Sequence, residues 1–308
     1  MEHLITWHTI TQRSITEESI AEESGQNRRG LSGFALKYIA LALMTLDHIH
    51  YFFEFTGWIP QWFSMLGRLS MPLFLFSVVE GFVHTHDRRK YFLRIYGIAI
   101  AMGLIQFAFY RVPALVRPDG FFPMNAAFQN FAILIVILQG LEWCGQKRWG
   151  RGLAAVLFPL VWPYLAAGAV MAITGAAPQT ATVVGFVANL LHFSILPMHA
   201  SILDGGTYYI LIGVLLYLTR KHRVAQAMGL FLSMLLIFGV RIYLLIPSAT
   251  IGQMFTQYYE WFGGFAAVFI LLYNGKRGHG SKGLFYWYYP AHVYVLYALS
   301  CGVYALLH

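Results

Sequence analysis

The sequence predicts an all-α protein, a polytopic bundle of helices that crosses a membrane. Of its 308 residues, 58% are hydrophobic and only 11% are charged, whereas soluble domains carry about 25% charged residues. The apolar residues fall into runs of about 20, the length of a helix that crosses a bilayer core. Basic residues cluster in alternate gaps between these runs, as in cytosolic loops.

The apolar runs set the number of expected spans. They begin near residues 34, 62, 91, 126, 151, 224, 254 and 284, with a shorter run at 205–219. About nine spans are expected, within a range of roughly eight to ten. The stretch 181–198 fits a span, a half-helix or a surface helix. An odd number of crossings must separate the outer loop near 174–180 from the basic cluster at 220–223, so one span at about 200–219 leaves 181–198 on the outer side.

The basic clusters predict the orientation. They include Arg28 and Arg29, the segments 88–90, 147–151 and 220–223, and the loop 276–282, whereas the alternate gaps hold only Arg111 and Arg117. Basic loops stay in the cytosol, so the N-terminus is expected there and the C-terminus outside. This rule explains the net charge of +8 without nucleic acid as a partner. The chain divides into a polar tail, residues 1–30, and one membrane domain, residues 31–308. It shows no internal repeat.

Ionisable groups inside predicted spans are the candidates for chemistry, because burying them in hydrocarbon costs several kcal/mol. Asp47 and His48 lie in the first span and Arg68 in the second. Counting about 1.5 Å of helical rise per residue places His48 and Arg68 both roughly 9 Å from the outer edge. The three residues are therefore expected to form a catalytic cluster. A hydrogen-bonded structural pair and a snorkelling arginine are the alternative interpretations.

A second group of polar residues falls in the cytosolic half by the same count. Its position suits the binding of an anionic cofactor that enters from the cytosol. The group includes Lys37, Glu80, His84, Arg94 and His292, with Arg88, Arg89, Lys276 and Arg277 at its edge. Arg88 and Arg89 fit topology signals as well. The two cysteines, Cys144 and Cys301, do not stand at metal-ligand spacing, and no metal site is expected.

The order of these motifs resembles the TraX family. The similar segments are LKYIALALMTLDHIHYFF (36–53), LGRLSMPLFLFSVVEGFVHTHDRRKYFLRIYGIAI (66–100), NFAILIVILQGL (130–141), YNGKRG (273–278) and FYWYYPAHVYVLYAL (285–299). The resemblance extends over about residues 31–305. The family includes the conjugation protein that acetylates the N-terminus of F-type pilin. A more distant similarity links Lys37 and His48 to transmembrane acyltransferases of glycans, which place a basic residue before a histidine in the first span.

The resemblance implies an acetyltransferase of the bacterial inner (cytoplasmic) membrane that uses acetyl-CoA. His48 then corresponds to the catalytic histidine, while Asp47, Arg68, Glu80 and the YP-x-H residues Tyr289 and His292 are motif residues. We count Tyr289 and His292 with the cofactor-binding set. His48 is expected to act as a general base or to accept the acetyl group itself, with a carboxylate such as Asp47 holding its tautomer and Arg68 supplying positive charge.

Three kinds of acceptor for the acetyl group are compatible with the sequence. The N-terminus of a pilin, an amino sugar and a lipid-linked glycan all offer the required amine. Two interpretations of another class also remain. A transporter needs intramembrane charges too, and a scaffold for pilus assembly would need no catalytic histidine.

Overall fold

In the computed structural model, residues 30–199 and 205–308 are described, and they form an all-helical membrane-type bundle. The described residues contain no β-strand, only an isolated bridge between Leu31 and Tyr273. The α-helices are α1 (Gly33–Phe53), α2 (Trp62–Gly67), α3 (Ser70–His84), α4 (Arg88–Arg111), α5 (Ala127–Gly145), α6 (Trp149–Ala176), α7 (Ala181–Leu190), α8 (Gly206–Leu218), α9 (Arg223–Met234), α10 (Arg241–Leu245), α11 (Gln253–Thr256), α12 (Ala266–Leu271) and α13 (Lys282–Leu307).

Shorter turns of other helix types complete several of these elements. Leu191–Ile195 extends α7 and Leu235–Val240 joins α9 to α10, both as wider π-type turns. Tyr259–Phe265 precedes α12 as a tighter 3₁₀ segment. Three further 3₁₀ turns, Glu54–Thr56, Pro113–Leu115 and Pro178–Thr180, lie in connections.

Side-chain caps fix where the main helices begin. The Ser32 hydroxyl accepts a hydrogen bond from the Ala35 N–H at the start of α1, and Ser281 does the same for Leu284 at the start of α13. Asp87 caps α4 by accepting from the Lys90 N–H at 2.9 Å. That backbone hydrogen bond lowers the pKa of the Asp87 carboxyl below its usual value. The caps satisfy N–H groups that the helices leave unpaired.

Burial separates the centre of the bundle from its periphery. The window of α5 that fits a membrane span is 67% buried within the molecule, whereas that of α6 is only 11% buried. The core forms mainly where α1, α3, α5 and α8 meet, with Leu36, Leu73, Leu134 and Leu216 fully enclosed. The apolar outer faces of α6, α9 and α13 suit contact with lipid, which removes the need to hide them.

Six helices are long and apolar enough to cross a membrane by length and composition. They are Trp62–His84, Arg88–Arg111, Ala127–Gly145, Trp149–Ala176, Arg223–Leu245 and Gly283–Leu307. The shorter apolar helices Gly206–Leu218 and Tyr259–Leu271 do not reach that length. Helix α1 is outside the six because Lys37, Asp47 and two histidines lower its mean hydropathy. The membrane-type helical fold agrees with the sequence. The count of nine spans and the cytosolic N-terminus stay predictions.

The bundle has two distinct ends. At the basic end, Arg88 and Arg220 both approach Glu142, and the Gly33 N–H donates to the Lys276 carbonyl at 2.8 Å. At the opposite end, Gln61 donates to the Thr256 carbonyl. The predicted separation of basic loops from the other connections is therefore present in the described residues.

Helices α1 and α13 run parallel to each other. Tyr38 contacts Phe285, Thr45 hydrogen-bonds Tyr288, and Phe52 contacts Tyr297, so residue numbers rise together along both helices. Parallel first and last helices require an even number of crossings before α13 begins. Any odd total number of spans meets this requirement, so the parallel arrangement is compatible with nine spans but does not single out that number.

The ambiguous stretch 181–198, which the parity argument leaves on the outer side of the membrane, packs along α4. Phe186 contacts Phe107 near the opposite end of α4, and Tyr96 donates to the Ile195 carbonyl nearer the basic end. Gly103 permits this approach, because a Cβ there would lie 1.7 Å from the Phe193 carbonyl oxygen. Helices α7 and α8 thus resemble two halves of one interrupted crossing, and the predicted span start at 200–204 lies outside the described residues.

Candidate functional site: a histidine pair between three cavities

Polar side chains from distant parts of the chain meet in a cavity of about 300 Å³ inside the bundle. We call this the central cavity. Its lining includes Asp47 and His48 from α1, Arg68 after α2, Tyr209 from α8 and Glu260 from the segment before α12. The predicted catalytic residues Asp47, His48 and Arg68 therefore share one cavity. Their roles remain predictions.

The His48 imidazole is held on both sides. Its Nδ1 lies 2.5 Å from Nε2 of His292, and its Nε2 lies 3.0 Å from Nδ2 of Asn125. The Nδ1 of His292 lies 2.8 Å from the Tyr288 carbonyl. All three side chains are buried, so these contacts are not exchanged for water.

The Tyr288 carbonyl, at the end of this chain of hydrogen bonds, fixes the tautomers of both histidines. A carbonyl oxygen only accepts, so the Nδ1 of His292 carries the proton and donates to Tyr288. A neutral His292 then accepts at Nε2 from the Nδ1–H of His48, and His48 accepts at Nε2 from the Asn125 amide. Two neutral imidazoles satisfy the whole chain. The ring nitrogen that can act as a base is Nε2 of His48, once Asn125 releases it.

Asp47 does not orient His48, contrary to one sequence expectation. Its Oδ1 accepts from Arg68 at 2.5 Å and from the Ser64 hydroxyl at 2.8 Å. Adjacent residues on a helix point about 100° apart, so Asp47 faces α2 while His48 faces α13. His292 takes the orienting position that was expected of a carboxylate.

Arg68 joins Asp47 to a second carboxylate. Its Nη1 donates to Oε2 of Glu260 at 2.8 Å, and its Nε donates to the Ser64 carbonyl at 3.2 Å. The Tyr209 hydroxyl donates to Oε1 of Glu260 at 2.6 Å. Most of the guanidinium N–H groups are thus occupied, so Arg68 mainly holds two carboxylates in place.

His292 was expected in the cytosolic half with the cofactor-binding residues, but it contacts His48 directly. A depth counted from the start of each helix does not place His292 correctly, because the two helices do not begin at the same level. Helix α13 begins deeper relative to α1 than that count assumed, since Phe285 lies beside Tyr38. His292 therefore belongs to the central cavity.

A narrower cavity of about 100 Å³ leads from the basic end toward His48. We call it the basic-side cavity. Met44, Phe74 and Tyr289 line both it and the central cavity, so the two spaces adjoin. Its walls are mostly apolar, with Lys37 on its lining. Tyr289, assigned from the sequence to the cofactor set, lies at this junction.

Three predicted cofactor-binding cations surround the basic-side cavity. The ammonium of Lys37 lies 5.6 Å from the Phe34 ring centroid and the Arg277 guanidinium lies 5.6 Å from the same ring. Arg94 interacts electrostatically with the Tyr286 hydroxyl, and both Phe34 and Tyr286 line the cavity. Lys276 precedes Arg277 in the same loop and contributes its carbonyl to the start of α1.

Other members of that predicted set lie elsewhere at the basic end. Glu80 approaches His84 and Arg223, each at 3.5 Å, and Arg88 approaches Glu142 at 3.5 Å. Arg89 is exposed. None of these four predicted side chains lines either cavity. These ion pairs join α3 to α9 and α4 to α5.

A third cavity, of about 260 Å³, adjoins the central one on the other side. We call it the opposite-side cavity. Arg68, Phe238 and Glu260 line both spaces, and the rest of its wall is Ile242, Gln257, Tyr258 and Tyr259. The Arg68–Glu260 ion pair thus stands at the boundary between the two cavities.

The loop 112–126 brings Asn125 to His48. Arg117 anchors this loop with hydrogen bonds to the Phe52 carbonyl at 3.1 Å and the Ser300 hydroxyl at 3.2 Å. Its guanidinium also pairs with Asp119 at 2.7 Å, which holds the pKa of that carboxyl below its usual value. Oδ1 of Asn125 is buried without a hydrogen-bond partner among the described residues.

Sequence reasoning missed Asn125, Tyr209 and Glu260. Glu260 had a usable signal, since it is a carboxylate within the apolar run that begins near 254. Asn125 and Tyr209 had none, because a loop amide and a span tyrosine are ordinary in a membrane protein. In the described parts of the chain, no group of three or more His, Cys, Asp or Glu side chains is placed to hold a metal ion.

Comparison with known proteins finds similarity to one protein family over part of the chain. The family model described as "TraX protein" matches residues 32–169. The chain is 32% identical over 130 residues to "Protein TraX" of Escherichia coli, which is 41% of this chain and 46% of that protein. It is 39% identical over 80 residues to "Probable fimbrial assembly protein FimC, serogroup H1" of Dichelobacter nodosus, 26% of this chain and 31% of that protein.

The chain thus spans less than half the length of each of these relatives, and no solved structure matches it. The family match covers α1 to α5 and most of α6, and includes Asp47, His48, Arg68 and Asn125. Over this part of the chain, the sequence is similar to the TraX family.

Proposed function

We propose that this protein is a membrane acetyltransferase that moves an acetyl group from acetyl-CoA to an amine, with the N-terminus of a pilin as the first candidate acceptor. The observation that carries the proposal is the position of His48 in the central cavity, with an adjoining cavity on each side. Two substrates can therefore approach one histidine from opposite ends. The names of the relatives, with their link to TraX and fimbrial assembly, support a pilus-related acceptor.

The basic-side cavity has the chemistry to bind CoA. CoA carries several phosphate charges, and Lys37, Arg94 and Arg277 lie around the entrance. The pantetheine arm is narrow and largely apolar, as are the cavity walls. The acetyl thioester would then reach the junction formed by Met44, Phe74 and Tyr289, next to His48.

His48 then acts as the general base. The amine attacks the thioester carbonyl carbon, an N–C bond forms, and the proton of the amine passes to Nε2 of His48. When the tetrahedral intermediate collapses, the C–S bond breaks and the same proton goes to the leaving thiolate. His292 holds the His48 tautomer that this sequence requires. Because both substrates meet in one cavity, direct transfer needs no acetylated histidine.

A histidine substitution tests the proposal. In purified full-length protein, His48→Gln should lower acetyl transfer by roughly 10²–10⁴-fold, the usual contribution of a general base. The variant should still bind acetyl-CoA. His308→Gln, at the exposed C-terminal end of α13, is the matched control and should keep transfer. Full activity of His48→Gln would contradict the mechanism.

Acetyl-CoA binding tests the cofactor assignment. Calorimetric titration should show weaker binding for Lys37→Ala and for Arg94→Ala, and binding should weaken as salt is raised. Arg148→Ala removes an exposed basic residue beyond α5 and should bind normally. Unchanged affinity in both cavity variants would contradict the placement.

Transport is the second candidate, because three adjoining cavities between the two ends also suit a substrate path. Dependence on acetyl-CoA separates the two functions. Mass spectrometry of envelope proteins and glycans, with and without the gene, should reveal lost acetyl groups if the enzyme proposal holds. Normal acetylation together with altered uptake or export would favour transport.

A further inference from the structure

Glu260 has no assigned role, yet it lies at the boundary between the central and opposite-side cavities. Its side chain keeps 33% of its surface accessible. An ionised carboxylate offers about four acceptor positions. Arg68 and Tyr209 occupy one on each oxygen, which leaves acceptor capacity directed into the cavities.

The charge around Arg68 is unbalanced among the described residues. One guanidinium lies between two carboxylates, at 2.5 Å from Asp47 and 2.8 Å from Glu260, so these three groups sum to one formal negative charge. Oδ1 of Asp47 accepts from both Ser64 and Arg68. Its Oδ2 accepts no hydrogen bond from the described residues, although Asp47 lines the central cavity.

Such a site favours a cation. An ammonium group has three donors and no acceptor, which complements two carboxylates with free acceptor positions. Inside a cavity of low dielectric constant the attraction is much stronger than in water. A hydroxyl acceptor has no charge to offset the excess negative charge.

We propose that Glu260, together with Oδ2 of Asp47, binds the ammonium of the acceptor, which enters through the opposite-side cavity. This inference rests on the proposed function and names the acceptor's entry site. Glu260 is a binding and specificity residue in this proposal. Tyr209 and Arg68 are positioning residues, because they hold the carboxylate in place. The bound ammonium must lose one proton before His48 can take another in the transfer step, and water in the open cavity accepts it.

The aromatic wall fits the same ligand. Tyr258 and Tyr259 line the opposite-side cavity, and the Arg68 guanidinium already lies 5.9 Å from the Tyr259 ring centroid. Aromatic faces attract cations. A cationic amine can therefore pass from these rings to Glu260 and on to the central cavity.

Charge-selective labelling tests this site without knowledge of the acceptor. Gln257 is exposed and lines the opposite-side cavity, so Gln257→Cys places a thiol there. The native cysteines are first replaced by Cys144→Ala and Cys301→Ala. Membrane-impermeant cationic and anionic methanethiosulfonates of similar size are then applied to oriented vesicles, from each side in turn.

The cationic reagent should react at least about tenfold faster than the anionic one, as expected for a cavity of one charge sign. It should react only from the side opposite the basic loops. Adding Glu260→Gln should bring the ratio of the two rates close to one. Glu142→Gln is the matched control, since Glu142 also binds a tyrosine and arginines but lies at the basic end, and it should leave the ratio unchanged.

Equal rates before the Glu260 substitution, faster anionic labelling, or labelling from the basic side only would each overturn the inference. So would a ratio that Glu260→Gln does not change. Acetyl-CoA binding is measured separately on the same protein. Failure of the acetyltransferase proposal would therefore appear in that titration, and failure of the amine site would appear in the labelling.

Discussion

At the scale of single residues, the contact between His48 and His292 determines which nitrogen of His48 is available. His292 lies in the position that a carboxylate takes in a catalytic triad. It is uncharged when its Nε2 accepts the hydrogen bond from the Nδ1–H of His48. A neutral partner fixes the tautomer without stabilising an imidazolium as strongly as a carboxylate does. In the proposed mechanism, His48 would therefore return its proton readily to the leaving thiolate.

This role predicts a graded result at position 292. His292→Ala removes the acceptor for the Nδ1–H of His48 and should lower kcat by about 10²-fold, with little change in KM for acetyl-CoA. His292→Gln places an amide oxygen near the former Nε2 and should recover part of the activity. Steady-state kinetics on both variants provides the measurement. Equal loss in both, with reduced folding yield, would indicate a purely structural histidine.

At the scale of helices, Gly67 allows α1 and α2 to approach closely beside the central cavity. A Cβ at Gly67 would lie 2.2 Å from the Cβ of Asp47, so one helix must move. Gly67→Ala should destabilise the protein by about 1–3 kcal/mol, the usual cost of overpacking, and should separate Asp47 from Arg68. Thermal unfolding of the purified chain measures the loss.

Gly97→Ala is the matched control for that substitution. Gly97 lies in the middle of α4, and nothing lies within 4 Å of a Cβ placed there. Alanine favours helix over glycine by about 1 kcal/mol in water, so this variant should unfold at the same temperature or higher. A similar loss in both variants would show that close packing at Gly67 is not the cause.

The loop 112–126 is another element whose stability depends on one side chain. Arg117 is only 4% exposed and pairs with Asp119 while it binds α1 and α13. Arg117→Ala should make the loop more sensitive to protease and lower activity, because Asn125 loses its support. Arg117→Lys should not restore either property, since lysine lacks the planar fork that binds Asp119.

The same ion pair predicts a pH dependence of loop stability. Arg117 lowers the pKa of Asp119 from its ordinary value of 3.8, so the folded loop binds the ionised carboxylate preferentially. The stabilisation is therefore present above pH 3.8 and is lost as pH falls through the lower, folded-state pKa. Proteolysis by an acid-active protease should accelerate in that range, and Asp119→Asn should show no such change.

The sequence predicted the helices and the intramembrane charges better than it predicted which side chains contact each other. Hydrophobic run length identifies α3 to α6, because a helix in lipid must satisfy its own backbone. The meeting of Asp47, His48 and Arg68 followed from depth on neighbouring helices. The contact of His48 with His292 could not follow from such a count, because it depends on the relative shift of α1 and α13 along their axes. The half-helix α7 was ambiguous for a related reason, since its depth is set by packing on Gly103.

At the scale of the whole molecule, the three cavities form a series, and ionisable side chains lie at both junctions. Tyr289 lies next to His48 between the first two cavities, and Glu260 lies between the second and third. In the proposed reaction, the two substrates would have separate approaches to His48. This arrangement would let cytosolic acetyl-CoA serve an acceptor on the other face of the membrane.

If the basic-side and opposite-side cavities act as separate entrances, a substitution that fills one of them should leave the other open. Ser77 is buried and lines the basic-side cavity, so Ser77→Phe fills space that the pantetheine arm requires. Acetyl-CoA binding should weaken by about tenfold or more, in line with the cost of overpacking. Gly97→Phe adds the same ring to α4 at a position with open space around the Cβ and should bind acetyl-CoA normally.

In Ser77→Phe, labelling of Gln257→Cys from the opposite end should keep its rate and its charge preference. Loss of both properties together would mean that the cavities do not act as two independent entrances.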